Sequence, residues 1–162
     1  MFRKGWIILV IFLLGWSAHL GYSQIIPLEK GAVFPLGESG IERTSPNDWV
    51  KEDQIRVYPN GVTLDLSNAV FTSYADTNSM DPLLDKDTNG IEMRPIKEKL
   101  QVGDIVSYHS SIVDAVIVHR IIEIGKDSRG TYYIVKGDNN SVPDPERVRF
   151  EQMEGVVVAL IY

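Results

Sequence analysis

The chain has 162 residues, an apolar fraction of 44% and a formal net charge of −6. That length suits one domain with a small appendage, and the composition is ordinary enough to form a core. The acidic balance leaves no basic footprint for nucleic acid, and the absence of cysteine excludes disulfides, thiolate metal sites and a cysteine nucleophile.

The first element is a membrane-targeting segment. Arg3 and Lys4 precede an uncharged run from Gly5 to Gln24, whose most apolar part is Trp6 to Leu14. The run matches the roughly 20 residues that a bilayer requires. Basic residues before it, with none directly after, place the N-terminus inside and the rest outside. Two forms are consistent with this pattern. Residues 1–23 are either a single-pass anchor, a transmembrane helix, or a signal peptide cut near Gly21-Tyr22-Ser23. Both export the domain. Residues 24–48, rich in Pro, Gly, Ser and charge, read as a stalk or linker, and 49–162 as a mostly β domain.

Within that domain, Ile55 to Tyr58 and Val62 to Leu66 alternate across Pro59-Asn60-Gly61, which predicts a hairpin. Ala69 to Tyr74 is a further strand, leading to Ser79. Residues 81–99 read as a charged loop. Part of it, Asp85 to Glu92, imitates the first half of a calcium-binding loop, but Ile96 stands where the bidentate glutamate belongs. The segment is therefore expected to be a polar surface loop. Val102 to Tyr108 is a strand entered through Gly103-Asp104. Asp114 to Ile124 and Thr131 to Lys136 form a second hairpin about Asp127-Ser128-Arg129-Gly130. Gly155 to Tyr162 closes the chain as an apolar strand. No segment after residue 24 sustains a helical period, so the domain is mostly β.

Three residue types in this order carry chemistry. Ser79 follows a strand and precedes Met80-Asp81-Pro82, a position from which a hydroxyl can face a cleft. Standing alone, such a serine is an exposed turn residue. His119 lies mid-strand between Val118 and Arg120. It is either a half-buried structural histidine or a base for that serine, a role worth roughly 10²–10⁴-fold in rate. Lys136-Gly137-Asp138-Asn139-Asn140 and the following Pro143-Asp144-Pro145 supply two carboxylates. Their composition is that of a turn; Asp138 reads as holding the loop through backbone hydrogen bonds, and Asp144, held stiffly between two prolines, could orient an imidazole. The residues alone leave Asp138 and Asp144 undecided.

Asn78-Ser79-Met80-Asp81-Pro82 resembles the nucleophile box of signal peptidase I, and Val102-Gly103-Asp104-Ile105-Val106 resembles the strand that follows it. Ile117-Val118-His119-Arg120-Ile121 is similar to the base box of the archaeal and endoplasmic-reticulum branch, where histidine replaces lysine. Lys136-Gly137-Asp138-Asn139-Asn140 with Asp144 is similar to that branch's last box. The resemblance covers residues 71–162. It implies a signal-peptidase-like β domain behind a transmembrane helix, and a serine endopeptidase at the outer face of the cell membrane that cuts exported preproteins or peptides. It further implies Ser79 as nucleophile, His119 as general base and Asp144 as its orienting partner. Asp138 would be a supporting carboxylate, and Thr77 would lend an oxyanion donor. Met80 and Pro82 would shape the groove and the turn. No cofactor or metal is expected, and the partners are substrate and membrane lipid. Asn78 stands where the family has glycine, and the 55–66 hairpin falls in an insertion. These departures suit an alternative, an anchored β domain that binds envelope partners without cutting.

Overall fold

A computed structural model describes residues 43–162, and the membrane-targeting segment lies outside the described residues. Among the described residues there is no α-helix, and no helix long and apolar enough to cross a membrane. Eight strands are present: β1 (Ile55–Tyr58), β2 (Gly61–Leu64), β3 (Ala69–Ser73), β4 (Asn89–Met93), β5 (Ile105–Ser110), β6 (Ala115–Asp127), β7 (Gly130–Lys136) and β8 (Met153–Ile161). β1 and β2 pair only with each other, and the remaining six form one antiparallel sheet in the order β3-β4-β8-β5-β6-β7. The expected mostly β class is therefore observed.

Both sequence-predicted hairpins form, β1–β2 across Pro59-Asn60 and β6–β7 across the turn that ends at Gly130. Gly130 has φ +106°, a left-handed conformation open to glycine at no steric cost. The segment 81–99 departs from the expectation of a surface loop. Its first part does turn, with Thr88 N–H donating to the Asp85 carbonyl at 2.8 Å. Asn89–Met93 then enters the sheet as β4, between β3 and β8, and Glu92, its fourth residue, is buried. Alternation was hidden there because the polar residues point inward.

The sheet buries both faces at its centre. Successive strand side chains point to opposite sides, and Ile105 and Val106 of β5 accordingly enter different clusters, as do Val157 and Val156 of β8. One cluster gathers Val106, Tyr108, Ile121, Tyr133, Val135, Val148 and Val156 with Trp49 and Leu100. The other holds Ile105 and Val157 under Met80 and Leu84, the residues that flank the candidate serine loop.

Asp104 joins the start of the described chain to the sheet. Fully buried, it accepts hydrogen bonds from Asn47 N–H (2.7 Å), the Trp49 indole N–H (3.1 Å) and Gln101 N–H (2.9 Å). Gly103 beside it has φ +104°, and a Cβ there would lie 2.4 Å from the Ser45 carbonyl oxygen. Residues 45–47, expected as the end of a linker, are thus bonded into the domain ahead of Trp49. Removing the carboxylate leaves three donors without their acceptor. Asp104→Ala is expected to lower the unfolding free energy by about 3 kcal/mol, read as a fall in the urea midpoint at unchanged slope.

Asp127, at the end of β6, binds Arg149 at 2.7 Å and Arg147 at 3.2 Å. The Arg149 hydrogen bond, aided by Arg129 N–H and Arg147, holds its carboxyl down at about 2, from an ordinary 3.8. A depressed carboxylate contributes stability that is present above the unfolded value and lost as pH falls through the folded one. Between about pH 4 and pH 2 the wild type is therefore expected to lose stability more steeply than Asp127→Asn, measured by thermal unfolding across that window. Equal slopes would show that the arginine pairing contributes nothing.

Candidate active site

Ser79 lies in the loop between β3 and β4. The preceding Asn78 has φ +57°, a conformation in which Asn is one of the few tolerated side chains. The residue that departs from the signal-peptidase pattern thus occupies a backbone position for which glycine is otherwise the default. Met80 is buried at 4% exposure and anchors the loop from the other side. Thr77 Oγ1 and Ser79 Oγ are 3.2 Å apart, a hydroxyl–hydroxyl hydrogen bond.

His119 sits in β6 opposite Val106 of β5 and is only 6% exposed. Its Nδ1 lies 2.6 Å from Asp144 Oδ2. The same carboxylate oxygen accepts from the Tyr108 hydroxyl at 2.6 Å. Burial first, and then the Asp144 carboxylate, push the Tyr108 phenol far above its ordinary value, so it stays a donor. Asp144 is itself tied back by its N–H to the Val135 carbonyl at 2.9 Å. With Nδ1 held by a carboxylate, Nε2 is the ring nitrogen left for a second partner. Nε2 is buried, and no described residue hydrogen-bonds to it.

The choice between the two carboxylates, open from the residues alone, is made by geometry. Asp138 does not reach the imidazole. It forms a two-point pair with the next residue of β6, Arg120, through Nε at 2.8 Å and Nη2 at 2.6 Å. Arg120 also donates to the Gly103 carbonyl at 2.8 Å. One loop therefore holds two consecutive residues of β6, His119 by Asp144 and Arg120 by Asp138.

That loop also grips the serine loop. Asn139 N–H donates to the Ser79 carbonyl at 3.0 Å, and the Asn139 side-chain amide donates to the Asn78 carbonyl at 3.0 Å. Asp138 N–H points at Met80 Sδ, 3.3 Å away. Gly137 makes the approach possible, because a Cβ there would stand 2.5 Å from the Ser79 carbonyl oxygen.

Ser79, Thr77 and His119 line one cleft of about 650 Å³, together with Met80 and Leu84 from the serine loop and Val116, Ile117 and Val118 from β6. No hydrogen bond joins Ser79 to His119 among the described residues, and the serine hydroxyl faces Thr77 instead. Sequence reasoning missed Tyr108, Asn139 and the Arg120–Asp138 pair. Each is an ordinary strand or turn residue in the sequence, and only the fold brings it to the site. No group of His, Cys, Asp and Glu able to hold a metal occurs among the described residues.

The Tyr108 hydroxyl is a buried donor to a carboxylate oxygen, a class worth roughly 1.5–3 kcal/mol. Tyr108→Phe is expected to lower the unfolding free energy by about 2 kcal/mol, checked by urea denaturation. A change below about 0.5 kcal/mol would mean that Asp144 is held adequately by His119 and the Val135 carbonyl alone.

No known protein-family model matches the chain. A stretch of 44 residues is 39% identical to the uncharacterized protein MJ0260 of Methanocaldococcus jannaschii, a match that spans 27% of this chain and 22% of that protein.

Proposed function

We propose that this protein is a membrane-anchored serine endopeptidase of the signal peptidase I type, cutting exported preproteins or peptides on the outer face of the membrane. The observation that carries the reading is the imidazole. His119 is buried, oriented through Nδ1 by Asp144, and lines the same cleft as a serine on a positioned loop. A structural histidine would ordinarily have both ring nitrogens satisfied. Here one is committed to a carboxylate and the other has no described partner.

In this reading a peptide carbonyl enters the cleft beside Ser79, whose hydroxyl exchanges Thr77 for His119 Nε2. The serine oxygen adds to the carbonyl carbon as Nε2 takes the hydroxyl proton. Asp144 stabilises the imidazolium without accepting that proton. The tetrahedral intermediate expels the amine, which takes the proton from Nε2, and leaves an ester on Ser79. Water, deprotonated by His119, then hydrolyses the ester and restores the serine. Thr77 Oγ1, adjacent to the serine oxygen, is the side-chain donor proposed for the developing oxyanion. Asp138 acts through Arg120 and the Ser79 loop, as a positioning residue. The uncharged run Gly5–Gln24, with Arg3 and Lys4 before it, supports a single-pass anchor and an extracytoplasmic domain.

A second reading, a β domain that binds envelope partners without cutting, draws on the β1–β2 hairpin. Ile55, Val57, Tyr58 and Val62 are exposed on it, and the hairpin adds nothing to the site. Detergent-solubilised protein mixed with a labelled secretory preprotein separates the two readings. Wild type is expected to cleave, while Ser79→Ala and His119→Ala each lose at least a hundredfold in rate with the fold retained. Asp144→Asn is expected to fall in the same range, and Asp138→Asn to lose less. Cleavage retained by Ser79→Ala would eliminate the peptidase assignment. A folded wild type that neither cleaves nor reacts with a serine-directed probe would favour the binding domain.

A further inference from the structure

The floor of the cleft holds a carboxylate that the chemistry above does not use. Glu92 is 7% exposed and lines the cleft from the penultimate position of β4. A row of cleft residues crosses the sheet here. Val70 of β3 is paired with Glu92, Ser107 of β5 is paired with both Gly155 of β8 and Val118 of β6, and Ser107 Oγ donates to Glu92 Oε2 at 2.6 Å. Gly155 is what admits the carboxylate between β4 and β5. A Cβ at that position would lie 2.1 Å from Glu92 Oε2 and 2.7 Å from Ser107 Oγ.

The surroundings of the carboxylate compensate it poorly. Burial in first place, and Glu154 after the opposing Ser107 hydrogen bond, raise the Glu92 carboxyl above its ordinary range. Glu154 lines the same cleft and, among the described residues, no lysine or arginine does, so its walls carry two carboxylates. The Tyr74 hydroxyl, packed over Gly90 at the same wall, is buried with no described partner. A buried charge without a counter-charge is unfavourable, and an incoming cation removes that penalty on binding. An apolar cleft built for small side chains has no use for such a group.

We propose that Glu92, with Glu154 beside it, is a specificity determinant that selects substrates carrying a lysine or arginine side chain near the cleaved bond. The Val70, Val118 and Leu84 surfaces cover the aliphatic stem while Glu92 receives the charged end. This inference rests on the peptidase reading for its substrate but not for its binding chemistry, and the two are tested separately.

The full chain in detergent is given alanine-rich peptides in which a single residue, moved through each position around the bond, is Ala, Lys or Glu. Cleavage is followed with wild type, and binding with Ser79→Ala by fluorescence anisotropy. At one position the Lys peptide is expected to exceed the Ala peptide by about tenfold in kcat/KM, with the Glu peptide weakest. In the Ser79→Ala protein the same peptide binds about tenfold tighter than its Ala counterpart. Glu92→Gln brings both ratios towards one, and Glu154→Gln reduces them in part, each variant checked by a retained cooperative thermal transition. If Glu92→Gln fails to fold, Glu154→Gln carries the comparison. Cleavage without a Lys preference at any position, or a preference that survives Glu92→Gln, overturns the proposal and leaves the peptidase intact. Absent cleavage with a Lys preference in binding removes the peptidase and keeps the basic-side-chain pocket. Absent cleavage with equal binding of all three peptides removes both.

Discussion

Two carboxylates from one loop hold two consecutive residues of β6, and the arrangement of the site depends on that pairing. Consecutive strand residues point to opposite faces, so Asp144 on His119 and Asp138 on Arg120 clasp the strand from both sides. The strand cannot rotate or slip without breaking one of the two pairs. Arg120 makes a two-point contact, the geometry in which a guanidinium is most directional. The imidazole is therefore positioned by a rigid strand, and the loop that orients it is fixed to the same strand.

The loop's remaining contacts carry this registration to Ser79. Asn139 holds the carbonyls of Asn78 and Ser79, and Gly137 lets the two loops approach closely. Serine and histidine come from segments that share no strand pairing, since Ser79 follows β3 at one edge of the sheet and β6 lies at the far side. Their common cleft exists because residues 137–144 bridge the distance. Tyr108 completes the support from the core side, delivering a hydroxyl from a fully buried ring to the carboxylate that faces His119.

The sheet beneath the cleft is apolar at its centre but polar along one row. Ser107 and Glu92 stand where the neighbouring positions of β5 and β8 are Ile105 and Val157, and Gly155 between them removes the side chain that would otherwise fill the space. A carboxylate in that setting raises the cost of folding and does nothing for packing. Its position in the cleft wall, together with Glu154, is what ties it to recognition of a ligand.

The order of residues alone specifies the strands whose apolar and polar residues alternate, and the turns whose chemistry is local. Pro59 and Asn60 close the β1–β2 hairpin as ordinary turn formers, and Gly130, at φ +106°, closes the β6–β7 turn because few other residues adopt that backbone without strain. It also determined the residue types available for catalysis, since with no cysteine and three histidines the candidates are few. Tertiary structure decided the rest. β4 escaped notice because its inward residues are Gly90 and Glu92, so that polarity no longer reports burial. Asp138 and Asp144 are interchangeable as turn residues, and only the placement of β6 assigns one to the imidazole and the other to Arg120. Tyr108 and Gly155 carry no local signature at all, and Asn139 reads only as one turn residue among several. Their roles come from neighbours distant in the chain, and a contact of that kind is set by how strands pair and loops pack, which no short window of sequence contains.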